Sequence, residues 1–137
     1  MSIFISIASY QDPLLASTIK SACMKASAEQ DLVFGVCDQS SSPIDASSLS
    51  KKAKIHYEHI DPILSKGPCW ARNRLQSFYQ GEDYFLQIDS HTQFDKDWDV
   101  ILMGQLRSLQ GLSSEPYFSK PIITAYPRSF EVISIKD

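Results

Sequence analysis

Short runs rich in Ile, Val and Phe alternate along the chain with longer stretches in which apolar residues recur every three or four positions. Ile3-Phe4-Ile5-Ser6-Ile7-Ala8 is apolar enough to be a strand buried on both faces. Pro13 suits the first turn of a helix, and Leu15, Ile19, Ala22, Cys23 and Ala26 mark one face of that helix from Leu14 to Ala28. Leu32 to Cys37 is a second buried strand, and Ala53 to Ile60 alternates like a third, with Ile55 and Tyr57 against Lys54 and His56. A second helix from Trp70 to Tyr79 carries Leu75 and Phe78 on its apolar face. Asp83 to Ile88 reads as a fourth strand and Trp98 to Leu109 as a third helix. Pro121 to Tyr126 reads as a fifth strand and Phe130 to Ile135 as a sixth. The Ser-rich stretch from Ser40 to Ser50 and the segment from Asp61 to Pro68 read as loops.

Strand and helix alternate from the start, which predicts an α/β fold: a mostly parallel sheet with helices on both faces. At 137 residues the expected organisation is one domain, 1–137, or a piece of one. The chain stops soon after an apolar run, without a closing helix, and this suggests an incomplete fold. Hydrophobic residues at 43% and charged residues at 21% are ordinary for a globular chain. A net charge of -3, with no clustered Lys and Arg, argues against nucleic-acid binding. No apolar stretch approaches the roughly 20 residues of a membrane span, and no apolar leader follows Met1, so a cytoplasmic location is expected. Cys23, Cys37 and Cys69 form neither a disulfide framework nor a C-x-x-C pair. All three read as packing residues, although Cys69 follows Gly67-Pro68 at a helix start, where a thiolate is stabilised.

Three strands end in polar residues on what should be one edge of the sheet: Ser9-Tyr10, Asp38-Gln39 and Asp89-Ser90-His91. A flat aromatic, an acid with an amide, and a carboxylate beside an imidazole suit a base, a ribose and a metal-bound diphosphate in turn. Gly67-Pro68 opens a helix whose N-terminus favours an anion. Arg72 and Arg74 lie two apart on it and cannot share a face. Arg72 reads equally as a phosphate ligand and as a surface ion-pair residue, with the other arginine pairing to Glu82 or Asp83.

Asp89-Ser90-His91 after an apolar strand resembles the D-x-H form of the D-x-D motif of GT-A glycosyltransferases. Gly67-x-x-x-Ala71-Arg72-Asn73 is similar to the G-x-x-x-A-R-N helix of many inverting sugar transferases, and Cys37-Asp38-Gln39-Ser40 to the acid after their second strand. The segments Ile5–Pro13, Gly67–Arg72 and Gly81–His91, continued by Phe94 and Trp98-Asp99, look like the GlcNAc-transferase family. That family includes enzymes that add GlcNAc to hydroxyproline on a cytoplasmic protein; polypeptide GalNAc-transferases are more distant. The resemblance runs from about Ile3 to about Asp99. It implies a UDP-sugar donor, with UDP-GlcNAc favoured, a hydroxyl acceptor on a protein or glycan, and a divalent cation, usually Mn²⁺. Asp89 and His91 would bind the cation and, with Arg72, form the catalytic set. Ser9, Tyr10, Asp38, Gln39, Asn73 and Ser90 would contact the nucleotide sugar. Family members are longer, and their second half brings the acceptor site, a further metal ligand and any base, so a donor-binding half with little activity of its own is expected.

His56 and His59 read most simply as surface residues, and Trp70 and Trp98 as core anchors. Asp95, Asp97 and Asp99 fit the start of a helix better than a second metal site. Two other function classes compete: a silent nucleotide- or protein-binding module, and a metal-dependent hydrolase or nucleotidyltransferase. The latter lacks a clear base for water, such as an H-E-x-x-H helix.

Overall fold

The apolar runs pair as parallel strands in the computed structural model, which describes residues 1–27, 29–111 and 120–131. Strand β1 (Ser2–Tyr10) lies between β2 (Asp31–Gln39) and β4 (Tyr84–Asp89), and β3 (Lys54–Ile60) flanks β2, giving the order β3-β2-β1-β4. Every neighbouring pair is parallel. Ile3, Ile5 and Ile7 are fully buried on one face of β1, each contributing about 1.5–3 kcal/mol by leaving water. Phe4 is equally buried on the other face, so the central strand is apolar on both sides as a covered parallel sheet requires.

The helices cover opposite faces. Helix α1 (Leu15–Lys25) buries Leu15, Thr18, Ile19 and Ala22, and Thr18 Oγ1 donates to Ser90 O at the end of β4. Helix α2 (Pro68–Gln76) packs Ala71 and Leu75 on Cys37, Ala8 and Ile60. Gly67, at φ 89°, turns the chain into α2, and Pro68 occupies its first turn. Helix α3 (Trp98–Gly111) starts where Trp98 Nε1 donates to Ala22 O at 3.0 Å. Asp99, fully buried, accepts from the Ser27 N–H and hydroxyl at 2.9 and 2.7 Å.

The chain divides into two units, Met1–Ile101 and Leu102–Asp137. The first holds the sheet, α1, α2 and the start of α3. The second holds the rest of α3, where Ser108 Oγ donates to Gly104 O, and a stretch from Lys120 to Glu131 without regular structure. Among the described residues no helix is long and apolar enough to cross a membrane.

Several expectations need correction. Pro121 to Tyr126 is not a strand: among the described residues its β-branched side chains belong to no ladder, and β propensity without a ladder does not make a strand. Phe130 and Glu131 are likewise irregular, and the remainder of the expected sixth strand lies outside the described residues. Helix α1 ends at Lys25 because Ala26 is extended, and Ala28 lies outside the described residues. Helix α2 begins two residues early, at Pro68. Past Gln76 it tightens into three-residue turns, with Ser77, Phe78 and Tyr79 N–H donating to Arg74, Leu75 and Gln76 O. The segments read as loops hold two short 3-10 turns, Ala46–Ser48 and Pro62–Leu64, opened by the carboxylates of Asp45 and Asp61. Cys69 is exposed rather than packed. His56 is no simple surface residue, since its ring stacks on Phe78 at 5.3 Å and its Nε2 is buried.

Candidate functional site

The C-terminal ends of the strands gather the polar residues. The ladder runs further than the apolar runs suggest, because backbone pairing does not depend on side-chain polarity: Ser9, Tyr10, Asp38, Gln39 and Asp89 are all strand residues. Register sets Ser9 opposite Asp38, Tyr10 opposite Gln39, and Ala8 opposite Asp89. Asp89 and Cys37 are thus two interstrand spacings apart, roughly 10 Å, and Gln39 lies two residues further along β2. The chain proceeds from β1 outward to β2 and β3, then returns to β4 on the other side of β1. The crevice where sheet order reverses is where open α/β sheets take ligands.

On the β1–β2 side an open cavity of about 380 Å³ is lined by Ala8, Ser9, Tyr10, Gln39, Ser65, Gly67 and Pro68. Tyr10 is 59% exposed there, whereas Ser9 is buried and its Oγ has no hydrogen-bond partner among the described residues. Gln39 braces the walls: its Nε2 donates to Ser9 O at 2.9 Å, and its Oε1 accepts from Ser65 Oγ at 2.6 Å. Ser65 Oγ in turn accepts from the Gly67 N–H, so the turn into α2 is tied to the end of β2. Asp38 is buried and accepts from the Tyr57 hydroxyl at 2.6 Å. Burial, together with that hydrogen bond and the carboxylate's charge, pushes the Tyr57 phenol far above its ordinary range.

On the β1–β4 side stands a second group. Gln11, at φ 49°, adopts a left-handed turn held by its N–H on Gln39 O and by its side-chain oxygen on Ser41. The turn brings Asp12 beneath the end of β4. Asp12 Oδ1 accepts from the Leu14 N–H at 2.9 Å, a local turn that opens α1. Asp12 Oδ2 accepts from Ser90 Oγ at 2.6 Å and lies 2.7 Å from His91 Nδ1. Burial pushes the Asp12 carboxyl up, but the hydrogen bonds from Ser90, His91 and Leu14 outweigh it and hold the group below the usual carboxylate range. Asp89 is 64% exposed and its Oδ1 meets Arg72 Nη2 at 3.3 Å. Ser90 is buried, and its backbone carbonyl is the acceptor for Thr18.

Arg72 and Arg74 point to opposite edges of the sheet, as a two-residue separation requires. Arg74 pairs with Glu58 on β3 rather than with Glu82 or Asp83. Asp83 instead accepts from the Ser2 N–H and hydroxyl, across the first rung of β1 and β4. Asn73 is exposed on α2. Sequence reasoning assigned no role to Asp12, Tyr57 or Ser65. Asp12 entered only as part of the Ile5–Pro13 segment, beside the Pro13 that suits a helix start, and neither says anything about a histidine 79 residues away.

Asp89 and His91, exposed on either side of buried Ser90, offer an oxygen and a nitrogen donor, and the donor chemistry fits a divalent cation shared with other oxygens. Among the described residues, no three His, Cys, Asp or Glu side chains gather into a ready cage.

The sequence profile of the glycosyltransferase (GlcNAc) family matches residues 2–53 and 44–136. The chain belongs to this GlcNAc glycosyltransferase family. Among solved structures, the fold of this family member is similar to that of S. aureus TarS 1–349, with a TM-score of 0.61 at 18% identity. The match covers 80% of this chain and 33% of that one, so this GlcNAc-family chain spans about a third of the TarS structure. No curated protein sequence gives a significant match.

Proposed function

We propose that the chain forms the donor-binding part of a GT-A glycosyltransferase that takes UDP-GlcNAc and a divalent cation, Mn²⁺, and transfers the sugar to a hydroxyl acceptor. Family membership supports a nucleotide-sugar donor. The observation that carries the finer reading is the pairing at the sheet edge: a cavity that includes Tyr10 at the ends of β1 and β2, and, across β1, Asp89 beside a carboxylate-held His91. Tyr10 and Ser9 flank the base, with Asp38 and Gln39 at the ribose side, and Asn73 and Ser90 border the diphosphate and sugar. Asp89 and His91 hold the cation. When bound, the cation supplies charge neutralisation to the departing diphosphate. Arg72, already at Asp89, presents forked donors to phosphate oxygens. A cytoplasmic site of action belongs to the same proposal.

Calorimetric titration of UDP and UDP-GlcNAc, with and without Mn²⁺, on wild type and His91→Ala tests this reading. Binding should need the cation and weaken in the variant; binding indifferent to both would sink it. Following sugar transfer and donor hydrolysis in the same samples separates a working transferase from a nucleotide-binding module.

A further inference from the structure

We propose that Asp12 is the positioning residue of His91, fixing the imidazole as its Nδ1–H tautomer and leaving the Nε2 lone pair for a ligand. The proposal rests on the reading of Asp89 and His91 as cation ligands and adds what orients one of them. An ionised carboxylate only accepts hydrogen bonds, so at 2.7 Å from Asp12 Oδ2 the proton sits on His91 Nδ1. A neutral imidazole has one N–H, and Nε2 is then the acceptor. The His91 side chain is 60% exposed while Asp12 is 13% exposed, so the anchored end is inside and the ring faces solvent.

Asp12 is itself held on three sides. The Leu14 N–H fixes Oδ1, Ser90 Oγ fixes Oδ2 beside the imidazole, and the left-handed Gln11 sets the backbone. Of these contacts only the Leu14 one is local to the start of α1; the contacts to Ser90 and His91 join residues 78 and 79 apart in sequence. A carboxylate on the far nitrogen of a ligating histidine fixes tautomer and ring orientation, and its loss commonly costs about 10–100-fold in metal affinity.

Asp12→Asn separates the two roles. The amide oxygen still accepts from the Leu14 N–H and keeps the helix start. The amide NH₂ then faces His91 Nδ1 and Ser90 Oγ; the hydroxyl rotates to accept, but Nδ1 must give up its proton, which moves to Nε2. Long-range ¹H–¹⁵N correlation of the imidazoles in metal-free protein, above the ordinary His range of about 6.5, reads the tautomer directly. Wild type should show Nδ1–H at His91 and D12N should show Nε2–H. Free Mn²⁺ counted by EPR in the presence of UDP should report about 10–100-fold weaker binding in D12N.

A wild-type Nε2–H tautomer, or D12N binding Mn²⁺ as well as wild type does, would overturn the proposal. The wild-type spectrum decides even where the variant folds poorly. His91→Ala is the control for the underlying reading: Mn²⁺ binding unchanged in that variant removes the cation site, whereas binding lost there and kept in D12N removes only the role of Asp12.

Discussion

Cys37 and Cys69 differ as thiols because one lies under a helix and the other on its exposed first turn. Burial, with Glu58 and Asp38 adding negative charge, pushes the Cys37 thiol up to about 11, while Cys69 is exposed. Titration with a disulfide reagent near pH 8 should therefore modify Cys69 quickly, half-buried Cys23 slowly, and Cys37 only on unfolding; fast reaction of Cys37 in folded protein would contradict its packing. Glu58 gives a pH prediction. Its hydrogen bond and charge pairing with Arg74 hold its carboxyl below the ordinary range, so the stabilisation is complete above that range and is lost as pH falls through the depressed value. Glu58→Gln should flatten the acid limb of a melting-temperature profile between about pH 5 and 3 and leave the neutral region little changed, because the pair is at the surface. The places of Tyr10, Gln39, Asp89 and His91 at or just past strand ends were legible from the apolar runs before them. Asp12 was not, because its meaning lies in the adjacency of β1 and β4, and nothing local encodes that adjacency.

At the scale of elements, close packing between the central strands and α2 makes one glycine necessary. A Cβ on Gly35 would lie 2.5 Å from Phe4 Cζ, and that ring is pinned by Tyr79 and Phe85 at 5.7 and 5.3 Å. Gly35→Ala should destabilise by about 1–3 kcal/mol in urea unfolding, as overpacked core positions do. Asp99 plays a comparable part at the start of α3. Replacing it by Ala strands the Ser27 N–H and hydroxyl, and urea unfolding should show a loss of about 1–3 kcal/mol. The central strands β1 and β2 were legible because buried parallel strands need unbroken apolar runs, and edge strand β3 was legible from its alternation. The apolar run at 121–126 has the same local character and is not a strand, which separates propensity from pairing. The short turns after Asp45 and Asp61 escaped notice because three residues carry no periodicity; only the capping carboxylates marked them.

For the molecule as a whole, ligand linkage offers the simplest check. If UDP with Mn²⁺ binds only the folded chain, free ligand at a hundredfold its Kd adds about 2.7 kcal/mol of stability. A melt should move up by several degrees with both present, and EDTA should return it to the ligand-free value; a shift that survives EDTA would speak for nucleotide binding without the cation. The sheet order has a further consequence, for the timing of synthesis. β1, β2 and β3 are consecutive along the chain, so their pairing can form once residue 60 has left the ribosome, and the cavity of Tyr10 and Gln39 takes shape with α2 shortly afterwards. The last strand must travel back past two others to reach β1, with Ser2 and Asp83, 81 residues apart, closing the first rung. Until then the outer edge of β1 is bare, an apolar strand open to pairing with any passing chain. Nascent chains halted before Tyr84 should consequently be prone to association and to chaperone capture, and those halted well beyond His91 should not.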